Sequence, residues 1–535
     1  MKANGEGRWP TIPAMTAAAV EQFGDGLAVS DGATTLTYSG LFEAARSFGA
    51  ALVASGVERG DRVALWAFNS AEWIVACLGL FQAGAVLVPV NTRFKGPEAA
   101  EVLSRSGARV LVTVTDFLGA DYVKMLRSAS AGLAELPELK TIIVAHGRVP
   151  EGAESWPDFA ARATASAMAE AGRRQAAAGT DDVSDILFTS GTTGVPKGVV
   201  MTHGRTLYCA TDWVAMTGLG PADRYLMINP YFSQFGYKAG ILACVAAGAA
   251  MLPEAVLDVD RVLSRVQQER VTVLPGPPTL YQSILDRPQL DRYDLSSLRV
   301  AVTGSADIPV ELIRRIHEEL PFSTIISGYG MTEGGTAAST GPGDEFAAIA
   351  TTVGRARPGF EIRIVDEQGN DVPAGEIGEI VFRGKSVMLR YLDDPEGTAA
   401  ALSADGWLRS GDLGMFDDRG RLRIVGRLKD MFIVGGFNVY PAEVENALLR
   451  HPGIRRAAVI GIPDKRLGEV GMAFVVFTEE ATAANQESVI SWCREQMANY
   501  KVPRVVEVVS ELPLNASGKV EKGVLRTRAA SGSVS

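Results

Sequence analysis

The stretch ILFTSGTTGVPKGVVMTHG, Ile186 to Gly204, decides how the chain is read. It opens on an apolar, strand-like run, passes through Thr189, Ser190, Gly191, Thr192, Thr193 and Gly194, and returns through Pro196 and Lys197 to the apolar Val199 and Val200. Glycines at 191 and 194 let the backbone come close to a partner. Successive N–H groups in such a turn form a nest for an anion, and the hydroxyls of Ser190, Thr192 and Thr193 and the ammonium of Lys197 add to it. The physical reading is a phosphate grip. It is not a Walker A loop, which needs Gly directly before the Lys and Ser or Thr after it; here Pro196 precedes Lys197 and Gly198 comes after. A solvated Ser/Gly linker is the plain alternative, and the apolar runs that tie down both ends argue against it.

The rest of the chain sets bounds. With 535 residues there is material for several buried cores. The net charge is -10, from 52 basic and 62 acidic side chains. That argues against a nucleic-acid surface and leaves any anionic ligand to local positive groups. The four cysteines, Cys77, Cys209, Cys244 and Cys493, and the four histidines are scattered, without a CxxC or HxxxH pair, so no structural zinc site is expected. Scattered thiols fit a reducing cytoplasm. MKANGEGRWP at the start lacks an apolar signal region. The uncharged run Trp73 to Asn91 is broken by Gly79, Gly84 and Pro89 and reads as a buried helix running into a strand, not as a membrane span.

Helix and strand patterns alternate through the first part. LTYSGLFEAARSFGAALVASGV (36–57) reads as an amphipathic helix, DRVALWAF as a strand, EWIVACLGLFQAG as a helix and AVLVPVN as a strand. This rhythm predicts parallel α/β sheets covered by helices. The Ala-rich segment 161–179 reads as a surface helix. From about Val353 the texture changes to short alternating strands with turn dipeptides, which predicts a β-rich, antiparallel subdomain. DRGRLRIVGRLKDMFIVGG reads as a further hairpin, and past Lys429 comes a compact α+β pattern. The expected division is a large domain, 1–428, and a small one, 429–535, joined near Gly426 to Asp430.

Further short motifs occur in order: TGSA (Thr303 to Ala306), SGYGMTE (Ser327 to Glu333), RSGDLG (Arg409 to Gly414), GRLKDMFIVGGFNVYPAEVE (Gly426 to Glu445) and LPLNASGKVEK (Leu512 to Lys522). Singly, most are ordinary turns or solvated loops. Together with FTSGTTGVPKG they resemble the adenylate-forming superfamily of acyl-CoA synthetases, nonribosomal adenylation domains and luciferases, over essentially the whole chain. The resemblance implies ATP and Mg²⁺, with coenzyme A as co-substrate. It implies that Gly304, Ser305 and Ala306 line one side of adenine and that Tyr329, followed by Gly330 and Met331, stacks on the other. By the same resemblance Thr332 contacts the α-phosphate, Glu333 and Thr193 hold Mg²⁺, and Asp412 and Arg427 hold the ribose. Lys429 is then the hinge, Gly435 and Gly436 border the pantetheine tunnel, and Lys519 bridges carboxylate and α-phosphate during adenylation.

The implied reaction has two halves: attack of a carboxylate on the α-phosphorus of ATP, then thiol attack on the acyl adenylate after the small domain rotates. Neither half needs a protein nucleophile. INPYFSQFGYKAGILACVAAGA (Ile228 to Ala250) is expected to line the acyl pocket. It resembles actinobacterial CoA ligases for the propanoate side chain of steroid-derived ring fragments, which implies a cyclic or aromatic acid. Gly236, Ala239 and Gly240 are expected to leave space, and Phe232, Phe235 and Tyr237 to supply apolar wall, with plain core packing the alternative for the aromatics. Such ligases usually carry His where this chain has Ser233. Two other readings stand beside CoA ligation. One is an adenylating enzyme with another acceptor, either an amide synthetase or a diazotase that activates nitrite for an aryl amine. The other is a nucleotide sensor without turnover. No nucleic-acid partner is expected, and the assembly is read as monomer or homodimer.

Overall fold

The structure, a computed structural model, describes residues 8–32, 34–129, 136–189, 196–304, 310–434, 437–478, 486–515 and 519–531. Among these residues the strands form four sheets. One holds both strands of the opening stretch. Its interior is parallel: Arg62–Trp66 lies between Val86–Pro89 and Ala108–Val114, and Val86–Pro89 pairs with Val183–Thr189. The helices Ala71–Gln82 and Gly96–Ser106 make the crossovers. In this sheet the expected parallel pairing holds for the interior. Val183–Thr189 and Lys197–Thr202 form an antiparallel hairpin, and Arg390–Tyr391 adds to it, also antiparallel. The phosphate-grip stretch therefore enters and leaves by the two paired strands of a hairpin at the flank of a parallel sheet.

The second large sheet has the parallel run Ala250–Pro253, Arg224–Met227, Val273–Pro275, Val300–Gly304 and Thr324–Met331, closed by the antiparallel Gly335–Ser339. These strands are short apolar runs because both faces are covered. The β-rich part is an antiparallel sheet of Phe360–Val365, Gly378–Gly384, Leu408–Phe416 and Leu422–Arg427. The stretch read as one further hairpin is divided between two sheets. Leu422–Arg427 ends the β-rich sheet, a single turn comes next at Leu428–Asp430, and Phe432–Val434 begins the last sheet beside Phe437–Val439 and Gly468–Phe477. Alternation of apolar residues is the same on either side of the turn, so the change of partner left no trace in the local pattern. The last sheet carries the long pair Ile454–Asp464 and Gly468–Phe477, with Val505–Val508 parallel to the latter. It has its own core of Phe432, Val439, Leu448, Val475 and Val489. The molecule is thus a large mixed α/β domain followed by a small α+β domain.

The helix read over 36–57 spans Tyr38–Ala54, because Thr34–Thr37 pairs as a strand and Thr37 Oγ1 caps the helix by accepting from Gly40 N at 3.1 Å. Trp73 to Asn91 is the expected buried helix and strand. Among the described residues no helix is long and apolar enough to cross a membrane.

His203 begins the helix after the hairpin. It is buried against the edge of Phe81 and its Nδ1 accepts from Ile12 N at 3.4 Å. Burial pushes its imidazole down to about 4 from 6.5. The unfolded chain takes up this proton between those values while the folded chain resists it. Stability from this group is complete above pH 6.5 and is lost as pH falls to 4, by about 3 kcal/mol. Denaturant titrations of wild type and His203→Gln across that range are expected to show a shallower acid loss in the variant.

Candidate active site

The carboxyl ends of parallel strands are where ligands enter α/β sheets. Val300–Gly304 and Thr324–Met331 end side by side, with Gly304 opposite Gly328. The second strand turns back at once: Gly334 N donates to Met331 O at 3.0 Å, which puts Thr332 and Glu333 at the tip of the turn. Gly330 is required there, since a Cβ would stand 2.1 Å from Gly335 O. Two bonds hold the tip from the segment 386–388: Ser386 Oγ to Gly334 O at 2.8 Å and Met388 N to Glu333 O at 2.7 Å.

Three predicted residues meet beside this turn. Asp412 and Arg427 face each other across neighbouring antiparallel strands. Arg427 Nε lies 3.3 Å from Asp412 Oδ1, and Tyr329 Oη donates to Asp412 Oδ2 at 2.8 Å. Burial and the Asp412 carboxylate push the Tyr329 phenol well above its usual range, so it remains a donor. An aromatic ring held in place, a carboxylate and a half-exposed guanidinium make a surface for a planar base and neighbouring hydroxyls.

A second group surrounds Glu333. Burial raises its carboxyl, against a hydrogen bond from Tyr391 Oη at 3.0 Å. Tyr391 sits on the short strand added to the phosphate hairpin, opposite Val199. Lys197 Nζ lies 4.7 Å over the Tyr391 ring and 3.9 Å from Asp394 Oδ2. Tyr391 therefore joins Glu333 to Lys197, a role that sequence reading missed. Its partner lies 58 residues away, and no local spacing marks it. Thr189 faces Lys197 at the base of the hairpin. Ser190, Gly191, Thr192, Thr193, Gly194, Ser305, Ala306, Gly435 and Gly436 lie outside the described residues.

Lys519 stands between Val505–Val508 and Lys522–Ala530 on a loop closed by Asn515: Lys519 N donates to Asn515 Oδ1 at 3.0 Å, and Asn515 N to Lys519 O at 2.8 Å. Arg93 Nη1 donates to Asn515 O at 3.4 Å. Arg93 lies just past Val86–Pro89, the parallel neighbour of Val183–Thr189, so the lysine loop reaches the same sheet edge as the phosphate hairpin. Asn515, which has the four-residue spacing of a loop-closing side chain, was the missed signal here. Lys429 is exposed on the turn between the two domains, next to Asp430, which accepts from Arg526 at 2.7 Å.

The segment read as acyl-pocket wall gives corrections. Ser233 Oγ donates to Pro230 O at 2.8 Å and accepts from Gly236 N at 3.2 Å, capping the turn Gln234–Gly236. At Gly236 a Cβ would stand 2.2 Å from Pro230 O, and at Gly240 2.8 Å from Met227 Cε. Room expected for a ligand at these two glycines is filled by protein. Tyr237 is wholly buried in the main core and lines nothing open. Phe232, Phe235 and Ser233 are half-buried, Phe235 lies edge-on to Trp213, and Ala239 retains 8% exposure. Asn69 holds the segment's approach: its Nδ2 donates to Met227 O and Asn229 O at 2.9 and 3.0 Å, and its Oδ1 accepts from Tyr231 N at 2.9 Å.

Comparison with known proteins agrees with this geometry. Residues 16–392 match the AMP-binding enzyme family and residues 443–519 the AMP-binding enzyme C-terminal domain. The chain is 48% identical, over 96% of its length and 98% of the relative's, to the 3-[(3aS,4S,7aS)-7a-methyl-1,5-dioxo-octahydro-1H-inden-4-yl]propanoyl:CoA ligase of Rhodococcus jostii. The anthranilate CoA ligase AuaEII, solved with anthranoyl-AMP, superposes with a TM-score of 0.88 at 30% identity, over 98% of both chains. ATP-bound MatB from Rhodopseudomonas palustris gives 0.84 at 31% identity, over 97% of this chain and 98% of that one. With both family matches, a full-length relative and the Tyr329–Asp412–Arg427 constellation in place, the chain belongs to the AMP-binding enzymes, as an AMP-forming acid–thiol ligase.

Proposed function

We propose that the protein activates a cyclic or aromatic carboxylic acid, in the class of a propanoate carried on a fused ring, and transfers it to coenzyme A in the cytoplasm. The observation that carries this reading is the 48% identity to the Rhodococcus indenyl-propanoyl ligase along nearly the full length of both chains. In the first half-reaction the carboxylate attacks the α-phosphorus of ATP and pyrophosphate leaves. In the second the thiol of CoA attacks the acyl carbonyl and AMP leaves. Catalysis of the first half is positioning and charge neutralisation between two anions.

Each group has a task in that scheme. Tyr329 offers its ring to adenine, and Asp412 accepts from the ribose hydroxyls with Arg427 beside it. Thr332 meets the α-phosphate, while Thr189, Lys197 and the hairpin tip take the phosphates that depart. Lys519 supplies positive charge between carboxylate and α-phosphate. Glu333 suits Mg²⁺: burial disfavours its charge, and an ion that keeps one or two carboxylates and takes its other ligands from phosphates would restore it. That ion supplies charge neutralisation on the phosphates. The two working bodies are 1–428 and 429–535, with Lys429 as hinge on the exposed turn Leu428–Asp430.

One observation favours a second acceptor. The Ser233 hydroxyl is used as a helix cap and offers no base where such ligases usually carry His. The two readings separate on a panel of fused-ring propanoates, aryl acids and straight-chain acids, assayed for AMP with and without CoA. The expected result is a kcat/KM for a ring-bearing acid at least about tenfold above straight-chain acids, within the range that fit to an apolar pocket gives, and strict dependence on CoA. AMP release that ignores CoA would transfer the reading to an amine or nitrite acceptor.

A further inference from the structure

One buried ion pair has no part in the scheme above. Lys238 and Asp185 are both fully inaccessible, with Lys238 Nζ 2.9 Å from Asp185 Oδ1. Ser184 Oγ and Thr206 Oγ1 each donate to Asp185 Oδ2 at 2.6 Å. Among the described residues Asp185 is the one carboxylate paired with Lys238. Two apolar side chains of similar volume would fill this space as well or better, because desolvating a pair offsets most of its attraction. What an ion pair adds is a fixed register between the elements that carry it.

The elements here are the two sides of the site. Asp185 lies on Val183–Thr189, and Asp185, Leu187 and Thr189 share one face of that strand, which ends at the phosphate-grip loop. Lys238 lies in Tyr237–Leu242, where the helix is π-wound. A π turn inserts an extra residue and rotates the downstream residues by about 100° relative to an α-helix. Such turns are uncommon and collect at functional sites. This one begins directly after the Ser233-capped turn. It sends Lys238 inward to Asp185, and the Ala239 carbonyl accepts from Tyr225 Oη at 3.1 Å. The ion pair, with Tyr225, holds the wound segment in that rotation.

We infer that Lys238 and Asp185 are positioning residues, a strut that sets the register of the acyl-pocket wall against the strand carrying the phosphate loop, and so determines which acids are accepted. Of this segment only the half-buried Phe232, Ser233 and Phe235, with Ala239, are left to face an acid, and their assignment to the acyl pocket rests on the function proposed above. Without the strut the segment relaxes toward α-helix, and Ala239 and the residues after it turn away from their present direction.

The test compares wild type with Lys238→Met, Asp185→Asn and the double variant Lys238→Met/Asp185→Leu, which removes both charges at once. Thermal melting, the ratio of kcat/KM between a fused-ring propanoate and benzoate, and amide hydrogen exchange are measured on the full chain. The expected result is that the double variant regains most of the melting temperature lost in the single ones. Its acid-selectivity ratio nevertheless stays shifted by about tenfold or more, the scale of a misfitted apolar group. Amides in 183–189 and 237–247 are expected to exchange faster together in Lys238→Met. A packing role alone would restore stability and selectivity together, and would overturn the inference. Should the double variant fail to fold, Thr206→Val, which strips one support from Asp185, is expected to shift the same ratio in the same direction; an unchanged ratio would equally overturn it. If wild type turns over no acid, the proposed function fails, and coupled exchange of the two segments still decides the strut.

Discussion

Lys519→Ala is expected to lower the rate of acyl-adenylate formation by on the order of 10²–10³-fold, the loss produced when one preorganised donor to developing charge is removed. The loop that bears Lys519 is fixed at both ends of a four-residue span by Asn515 and meets Arg93 at the sheet edge where the phosphate hairpin ends. Under the function proposed above, a cation delivered there would lower the repulsion between the attacking carboxylate and the α-phosphate. It has no comparable task once the adenylate exists, because a thiol then attacks an uncharged carbonyl. The variant is therefore expected to keep thioester formation from a preformed acyl adenylate within about threefold of wild type, while losing adenylation. Pyrophosphate exchange measures the first half and acyl-adenylate consumption the second. Equal losses in both would place Lys519 outside the adenylation step.

Asp412→Ala should raise the KM for ATP by roughly 10- to 150-fold, since each hydrogen bond to a charged group is worth about 1.5–3 kcal/mol. The carboxylate is doubly engaged, by Tyr329 Oη at 2.8 Å and Arg427 Nε at 3.3 Å, and its removal also frees the ring from its fixed plane. Tyr329→Phe keeps the stacking face and loses one bond, so its KM should rise less than about tenfold. A reversed order, with Tyr329→Phe the more damaging, would mean that Asp412 serves mainly to hold the tyrosine. Saturation kinetics in ATP at fixed acid distinguish the two.

Motifs that are contiguous in the chain were legible. The apolar runs that flank the glycine, hydroxyl and lysine residues were readable as strands, and the structure makes them Val183–Thr189 and Lys197–Thr202; the anion loop expected between them lies outside the described residues. The buried helix and strand in 73–91 were readable because Gly84 and Pro89 break the run into pieces too short to cross a bilayer. Features set by cross-strand register were not. Asp412 and Arg427 were named together by resemblance alone, since nothing local joins them, and nothing near Glu333 announces Tyr391. Lys238 was hidden for a related reason. In an apolar segment a single lysine reads as a solvent-facing residue, and only the π turn sends it to a carboxylate on another element. The glycines at 236 and 240 misled in the other direction. Absence of a side chain suggests room for a ligand, but here Pro230 O and Met227 Cε already occupy it.

The most direct test of CoA ligation is the stoichiometry of one turnover with a fused-ring propanoate, ATP, Mg²⁺ and CoA, read by mass spectrometry. One AMP and one acyl-CoA thioester are expected for each ATP consumed, with neither formed when the acid is left out. Formation of ADP, or AMP release in equal amount without CoA and without a thioester, would contradict it.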